Sequence, residues 1–485
     1  MSSPGAPSAF TESPAPAGVG SAWLPWLVAV AFFMESLDTT ILNTAVPAVA
    51  EALHVVPLAM KAVLASYTLA LAVFIPISGW MADRFGTRRV FASAIGLFTL
   101  GSLLCGLCSN IHLLVACRVL QGMGGAMMVP VGRLTLVRSF ARADLLRVMS
   151  FVSVPALVAP MLGPVAGGLI VGYAHWRVIF FLNIPIGLLG LVMVYLHLPD
   201  FREEHVHPLD FVGLVLFGSG IALLSYVLEV FGEHELSGRE ITGLLFLSGA
   251  LLAAYWVHAR QLEFTLLNLR LFDVRTFRIS VNGSFFTRLG IGGVPFLLPL
   301  LYQTGLGYTP VQSGLLIVPQ AIAAMGMKAI LRKLLANIGY KGILVSNTLA
   351  IGLLLMMLTT IHLHTPVWQI VAIAFFYGAC TSLQYTTMNT LVYADVEEKD
   401  ASSASSIAST MQQMSISFGV AFAGLATAFF VPGKAYSDSA LMIGGIHKAF
   451  LCLGALTMVS TVVFAGLKRG DGAAVNEHKI MHPDG

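Results

Sequence analysis

Two acidic residues stand three positions apart inside an apolar stretch near the start of the chain. Glu35 and Asp38 interrupt the run at 23–47, and their spacing puts them on one face of a helix. A charge at the centre of a bilayer costs about 2.5–3.5 kcal/mol on insertion scales, so such residues are functional candidates. Burial favours the neutral, protonated form of a carboxyl group, whereas a neighbouring cation favours its charged form. Such a group can take up and release a proton.

A matching cation lies in a second apolar run, at 111–137. With a rise of about 1.5 Å per residue, Arg118 and Asp38 fall at comparable depths on the outer side of the midplane, and Glu35 lies near the midplane. We therefore expect Asp38 and Arg118 to pair, with Gln121 as a hydrogen-bonding neighbour. Movement of Arg118 would switch the carboxylates between proton binding and proton release. The alternative is a static buried ion pair.

Membrane helices are needed to position these side chains. Of the 485 residues, 57% are hydrophobic and only 11% are charged, whereas about a quarter are charged in a typical globular protein. Apolar runs of about 20 residues can cross a bilayer, and we predict fourteen such spans. They lie near 23–47, 57–81, 89–109, 111–137, 148–172, 177–198, 209–230, 241–258, 280–303, 311–331, 342–361, 366–393, 402–431 and 441–467.

The distribution of basic residues predicts the orientation. With both ends of the chain in the cytoplasm, nineteen of the 27 Lys and Arg residues fall in cytoplasmic segments and three on the opposite side. We expect a multi-pass protein of the bacterial inner membrane. The predicted parts are a disordered tail at 1–22, a six-helix bundle at 23–198, a linker with two inserted helices at 199–279, a second six-helix bundle at 280–467 and a tail at 468–485.

The segment GWMADRFGTRRV (79–90) joins the second and third predicted spans. Gly79 permits close helix contact, and Asp83, one turn further on, lies at the helix end beside several arginines. Those charges can clamp the connection in one conformation and release it in another. The residues of this motif are Gly79, Asp83, Arg84, Gly86, Arg88 and Arg89. Charge alone would indicate only the orientation, but the full pattern resembles the loop signature G-x-L-A-D-R-x-G-x-R-R of the major facilitator superfamily.

Further segments resemble one branch of that superfamily, the fourteen-helix drug:proton antiporter-2 family. MESLDTTILNTAVP (34–47) is similar to the signature of its first helix, CRVLQGMGGAMM (117–128) to R-x-x-Q-G-x-G-A and LGPVAGGLI (162–170) to the antiporter motif G-P-x-x-G-G. WRVIFFLNIPIG (176–187) and LLYQTGLGYTPVQSGLLIVP (300–319) also match. GAMMVPVGRLT (125–135) is most similar to the multidrug resistance protein D group.

The resemblance implies an all-α fold of two pseudo-symmetric six-helix bundles around a central site, with both termini cytoplasmic. It implies a monomer that exports small molecules in exchange for protons, with no cofactor beyond the proton gradient. A kinked, small-residue helix face would close the pathway in one state. Its residues are Pro160, Gly163, Pro164, Gly167 and Gly168. The family's arginine in span thirteen is absent, because this chain reads MQQMSISFG at 411–419.

Other polar residues in the predicted spans could line the central cavity. They are Asn43, Arg133, Arg288, Tyr377, Gln384, Tyr385 and Asn389. The arginines could instead snorkel to the interface, and the amide and aromatic side chains could hold helices together.

Several function classes are disfavoured by the sequence. The net charge of +3 is too small and too scattered for nucleic-acid binding. The five cysteines lie in apolar runs, which predicts neither disulfides nor a metal site. The chain has no phosphate-binding GxxxxGK[ST] loop and no HExxH motif, so we expect neither ATP use nor an intramembrane enzyme. The cargo is left open between lipophilic or cationic drugs and an anionic metabolite, such as an organic acid or its metal chelate, and a sensor or channel is a more remote alternative.

Overall fold

A computed structural model of the protein describes residues 23–140, 142–203, 206–230, 237–262, 265–397, 400–431, 439–468 and 470–471. Within these residues the regular structure is helical and includes no strand, which confirms the all-α prediction. The tail predicted at 1–22 and most of the tail predicted at 468–485 lie outside the described residues.

In the first half of the chain, the described residues form eight helices. They are α1 (Leu24–Ala52), α2 (Met60–Phe74), α3 (Ser78–Phe85), α4 (Thr87–Leu107), α5 (Ile111–Ser139), α6 (Arg142–Tyr173), α7 (Val178–Phe181) and α8 (Asn183–His197). The helices α2 and α3 continue one another through a 3-10 turn at Ile75–Ile77 and together make one span. The short α7 leads directly into α8 in the same way.

Further along the chain, the residues that the structure describes form eight more helices. They are α9 (Phe211–Val230), α10 (Gly238–Gln261), α11 (Arg275–Gly292), α12 (Val294–Leu300), α13 (Pro310–Met357), α14 (Val367–Leu391), α15 (Ala401–Phe430) and α16 (Ser439–Ala465). Inside α13 the backbone turns at Gly339, where φ is +75°, a value that glycine adopts without strain. This turn divides α13 into two spans, Pro310–Leu331 and Asn337–Thr360.

Local sequence explains where these helices begin and end. The side chain of Asn110 accepts a hydrogen bond of 2.9 Å from the Leu113 amide and caps the start of α5. Thr309 and Gln312 form a reciprocal capping box at the start of α13. Gly86, with φ of +93°, ends α3 and lets the chain turn into α4.

Thirteen helices of the described chain are long and apolar enough to cross a membrane, and each coincides with a predicted span. The remaining prediction, 148–172, falls on α6, in which Val158–Tyr173 is a shorter apolar segment. Three prolines interrupt this helix, at 155, 160 and 164. The total of fourteen spans therefore stays a prediction.

Packing brings the two halves together along two lines. In the first half α1 packs against α5 and α6, and in the second half α13 packs against α14 and α16. Between the halves, α6 packs against α13 and α2 packs against α15. The inserted helix α9 packs against its partner α10 and also touches α2 and α15.

Candidate functional site

A central cavity of about 1120 Å³ lies between the two halves. Its inner wall includes Glu35 and Arg133, and its rim includes Asp83 and Arg138 at the arginine-rich ends of their helices. These ends lie on the expected cytoplasmic side, so the cavity opens inward. The polar residues that the second half contributes are Asn389, Tyr393, Ser403, Ser405, Ser406, Ser409, Gln412 and Gln413.

Asp38 and Arg118 form a buried ion pair beside this cavity. The Nη1 atom of Arg118 lies 2.5 Å from Oδ2 of Asp38, and each side chain is 1% exposed. Gln121 links the two charges, because its Nε2 donates to Asp38 Oδ1 at 2.9 Å and its Oε1 accepts from Arg118 at 2.7 Å. The structure thus brings together three of the residues selected from the sequence.

Two residues that the sequence analysis did not select complete this network. The Nδ2 atom of Asn183 donates to Asp38 Oδ1 and to the Ser102 hydroxyl, at 3.0 Å in each case. The amide of Gln121 also donates to Ser102, at 2.6 Å. Asn183 stands within the WRVIFFLNIPIG segment, whose match to the family could have drawn attention to it. Ser102 carries no comparable signal, because it lies in an ordinary apolar run.

The guanidinium of Arg118 is also enclosed by aromatic rings. Its Cζ atom lies 4.1 Å from the centre of the Tyr67 ring and 6.0 Å from that of Phe180. Such contacts favour a desolvated cation. Among the described residues, the buried Nε atom of Arg118 has no hydrogen-bond partner. The Nη1 atom of Arg118 is therefore well coordinated, whereas its Nε–H is a donor that the network leaves unused.

Glu35 stands on the same helix as Asp38 but in a different environment. It is half-buried and lines the central cavity. Arg133 is exposed in the same cavity, and its Cζ atom lies 5.6 Å from the Phe32 ring. A cavity ligand can therefore reach Glu35 and Arg133, whereas Asp38 is enclosed by protein groups.

Arg288 provides a second buried cation, in the opposite half. It is 2% exposed, donates to Ser284 Oγ and Asn389 Oδ1 at 3.0 Å each, and stacks at 4.1 Å on Tyr385. Among the residues described, Arg288 forms no salt bridge with a carboxylate. Asn389 also lines the central cavity, so Arg288 sits one side chain behind the cavity wall.

Five of the seven sequence candidates do not line the cavity: besides Arg288 and Tyr385, they are Gln384, Tyr377 and Asn43. Gln384 is fully buried and bonds Asn347 and Thr348, which holds α14 against α13. Tyr377 is packed in an apolar core, and Asn43 is half-buried outside the cavity lining. Amide and aromatic side chains suit helix packing as well as binding, so the sequence alone could not separate the two roles.

The acidic residue of the loop motif, Asp83, pairs with an arginine from outside the motif. Asp83 pairs with Arg138 at the end of α5, at 2.9 Å, and Arg138 also bonds Glu203 at 2.9 Å. Arg84 and Arg89 are exposed. Arg88 donates to the Leu198 carbonyl at 2.5 Å and, through its backbone amide, to Asp200 at 3.1 Å. The motif therefore joins α3 to α5 and to the segment after α8.

The small-residue face of α6 contacts both halves of the protein. A side chain at Gly163 or Gly167 would meet Thr40 and Ile41 of α1, and one at Gly168 would meet the Pro310 carbonyl of α13. The counterpart in α13 is Gly314, which lies against the Pro164 carbonyl. Pro164, Gly168, Pro310 and Gly314 form what we call the outer seal. Pro160 of the same motif is exposed and takes no part in it.

The hydroxyl and amide wall on α15 was missed by the sequence analysis. Its residues recur through the segment ASSASSIASTMQQ at 401–413, which the prediction treated only as a span. Gln412 and Gln413 belong to the segment MQQMSISFG at 411–419, from which the family's arginine is absent. The density of serine in an apolar run was the available signal.

Within the described residues, no group of three or more His, Cys, Asp or Glu side chains could hold a metal ion, and the five cysteines are free.

Comparison with known proteins agrees with this architecture. Residues 28–420 match the family model described as Major Facilitator Superfamily. A protein of Serratia proteamaculans named "Putative multidrug resistance protein MdtD" is 39% identical over 443 residues, covering 91% of this chain and 93% of the relative. The protein of that name from Cronobacter sakazakii is 40% identical and covers 91% and 94%.

The fold also resembles solved transporters. The crystal structure of a bacterial homologue of the human lysosomal transporter Spinster, inward-facing and unoccupied, has a TM-score of 0.67 at 14% identity, covering 95% of this chain and 99% of that one. From the family match and the spans, this chain is a multi-pass transporter of a bacterial inner membrane rather than an enzyme. It belongs to the Major Facilitator Superfamily.

Proposed function

We propose that this transporter exports small molecules in exchange for protons and that its cargo is a lipophilic or cationic compound. The observation that carries the proposal is the Asp38–Arg118 pair, buried one helical turn from a carboxylate that lines the inward-open cavity. The names of the similar proteins, which refer to multidrug resistance, support the same cargo class.

In the proposed cycle, Asp38 holds the proton and Glu35 meets the cargo. A proton that reaches Asp38 from outside neutralises it and removes its attraction for Arg118. A buried charge that loses its partner is costly, by about 3–5 kcal/mol, so the arginine must rearrange. This rearrangement would drive the halves from one packing to the other. An inward movement of one net charge gains about 2.3 kcal/mol per 100 mV of membrane potential.

The alternative cargo, an anionic metabolite such as an organic acid or its metal chelate, has one observation in its favour. Within the described residues, the deep part of the cavity and the wall directly behind it contain two cations, Arg133 and Arg288, and one lining carboxylate, Glu35, because Asp38 is enclosed by protein groups. An organic acid would find donors in those guanidinium groups and in the serine and glutamine side chains of α15. A lipophilic cation would depend on Glu35 and on the apolar part of the wall.

The test uses proteoliposomes that contain a trapped pH dye and receive either tetraphenylphosphonium or an organic acid. We expect the cargo to move protons in the wild type and not in Asp38→Asn. The matched control is Asp273→Asn, because Asp273 is an exposed carboxylate between α10 and α11. Cargo binding without proton movement in the wild type would contradict antiport and leave a sensor, channel or uniporter.

A further inference from the structure

The wall of the central cavity includes a short segment that belongs to neither six-helix bundle. Residues 265–268, which we call the entrance segment, follow the inserted helix α10 and lead into α11. All four of them line the cavity at its inward-open side. Cargo that enters from the cytoplasm can therefore contact this segment.

The entrance segment is held in place by Asp210, at the start of α9. The carboxylate of Asp210 accepts from the Leu266 amide at 3.1 Å and from the Gly213 amide at 2.7 Å. It also lies 2.7 Å from His258 Nε2, and only 4% of its side chain is exposed. Burial opposes its charge, but these hydrogen bonds outweigh burial and lower the pKa of Asp210, so it is an anion near neutral pH.

Further contacts fix the same segment to α10 and α15. The Leu267 amide donates to the Tyr255 hydroxyl of α10 at 3.1 Å, and the Leu267 side chain is 4% exposed. Leu267 belongs to an apolar cluster with Phe217 of α9 and Phe418 of α15. The inserted helices α9 and α10 therefore support the segment from behind.

Because α9 contacts both halves of the transporter, the position of the entrance segment should depend on the conformation of the transporter. This helix packs against α2 of the first half and α15 of the second half, which lie on opposite sides of the seam between the halves. Ser248 of α10 donates to the Gly220 carbonyl at 2.8 Å, so α9 and α10 are bonded together. A movement of one half against the other would move the pair and its attached segment.

We infer that the inserted helices α9 and α10 hold residues 265–268 as part of the cargo entrance and so help to determine which compounds enter the cavity. This inference rests on the proposed transport function of the cavity. Asp210 and Tyr255 bond the segment directly, and His258 bonds Asp210, so all three act as positioning residues and do not contact the cargo. The segment itself would discriminate between cargoes by the space that it leaves and by the polar groups of Thr265 and Asn268.

The first test measures accessibility and does not depend on activity. In inside-out membrane vesicles, Thr265→Cys is labelled with a fluorescent, membrane-impermeant maleimide, and labelling of the unmodified chain is subtracted. We expect Asp210→Asn to raise the labelling rate at this position about tenfold, the factor that corresponds to one lost charge-assisted hydrogen bond.

Arg270→Cys is the matched control, because Arg270 is exposed and lies outside the cavity lining, so the labelling rate at this position should not respond to Asp210→Asn. If Thr265→Cys fails to fold, Asn268→Cys replaces it. Equal labelling rates with and without Asp210→Asn would overturn the inference.

The second test measures transport of tetraphenylphosphonium in proteoliposomes. We expect Asp210→Asn to change KM by about tenfold while kcat stays within about twofold, which separates entry from the later steps. Glu240→Gln is the control at the opposite end of α10, where glutamine preserves the capping box. A fall in kcat with KM unchanged would indicate a purely structural role and overturn the inference. A wild type that binds tetraphenylphosphonium without moving protons would contradict the proposed antiport, while the entrance inference would still be decided by the labelling result.

Discussion

Gly168 of α6 lies directly against the carbonyl oxygen of Pro310 at the start of α13, and a side chain would not fit between the two helices. The reciprocal contact, between Gly314 and the Pro164 carbonyl, has the same character. A hydrogen bond of 2.8 Å from Gln303 to the Thr44 carbonyl adds a polar link between the halves. The outer seal is therefore a backbone-to-backbone contact, which depends on the absence of side chains.

Substitution of Gly168 by alanine should open this seal. Overpacking of a tight contact costs about 1–3 kcal/mol, so the equilibrium should shift away from the outer-closed state by about fivefold or more. The measurement is labelling of Thr44→Cys, a fully buried position, by an impermeant maleimide applied to the outside of intact cells. Gly243→Ala is the control, since nothing lies within 4 Å of a side chain at that position. Unchanged labelling would show that the glycine contact does not limit opening.

Removal of one charge of the buried pair should destabilise the protein more than removal of both charges. Asp38→Leu leaves the guanidinium of Arg118 without its anion in a dry site, at a cost of about 3–5 kcal/mol. The double variant Asp38→Leu with Arg118→Met removes both charges and should recover part of that stability. Thermal unfolding in detergent gives the comparison. A double variant that is less stable than Asp38→Leu would contradict the ion-pair account.

Glu35 and Asp38 should separate into two phenotypes. Because Glu35 faces the cavity and Asp38 does not, Glu35→Gln should raise KM for tetraphenylphosphonium about tenfold, or about 1.4 kcal/mol, with proton exchange retained. Asp38→Asn should abolish the exchange. Parallel measurement of cargo uptake and pH-dye signal distinguishes the two. Loss of proton movement in Glu35→Gln would transfer the proton-carrying role to Glu35.

The loop motif provides a test between two arginines that look alike in the sequence. Arg138→Ala removes the partner of Asp83 and should reduce transport strongly, whereas Arg84→Ala removes an exposed charge and should have little effect. Since the Asp83–Arg138 pair is partly exposed, the free energy of unfolding should change by less than about 1 kcal/mol. Transport rate and unfolding are measured on the same preparations. Equal transport in the two variants would indicate that the motif serves orientation alone.

The helices and the central charge pair followed from the sequence because their causes are local. The length of the apolar runs was sufficient to predict the thirteen spans found in the structure. The free-energy cost of a charge in lipid identified Asp38 and Arg118 as candidates. Depth could be counted along each helix from its rise per residue. Pairing between residues 80 positions apart was therefore predictable from two independent counts.

The rest depended on how the helices pack. Asn183 and Ser102 became part of the Asp38 network only when α8 and α4 met α1, because depth along a helix does not tell which of its polar residues face a given neighbour. Arg138, and not Arg84 or Arg89, became the partner of Asp83 because α5 ends beside α3. The same reasoning applies to the serine wall of α15 and to residues 265–268. Sequence determined which segments enter the membrane and which charges are costly there, because those energies depend on composition. Tertiary structure decided which side chains face the cavity, because helix rotation and crossing are set by contacts between distant segments.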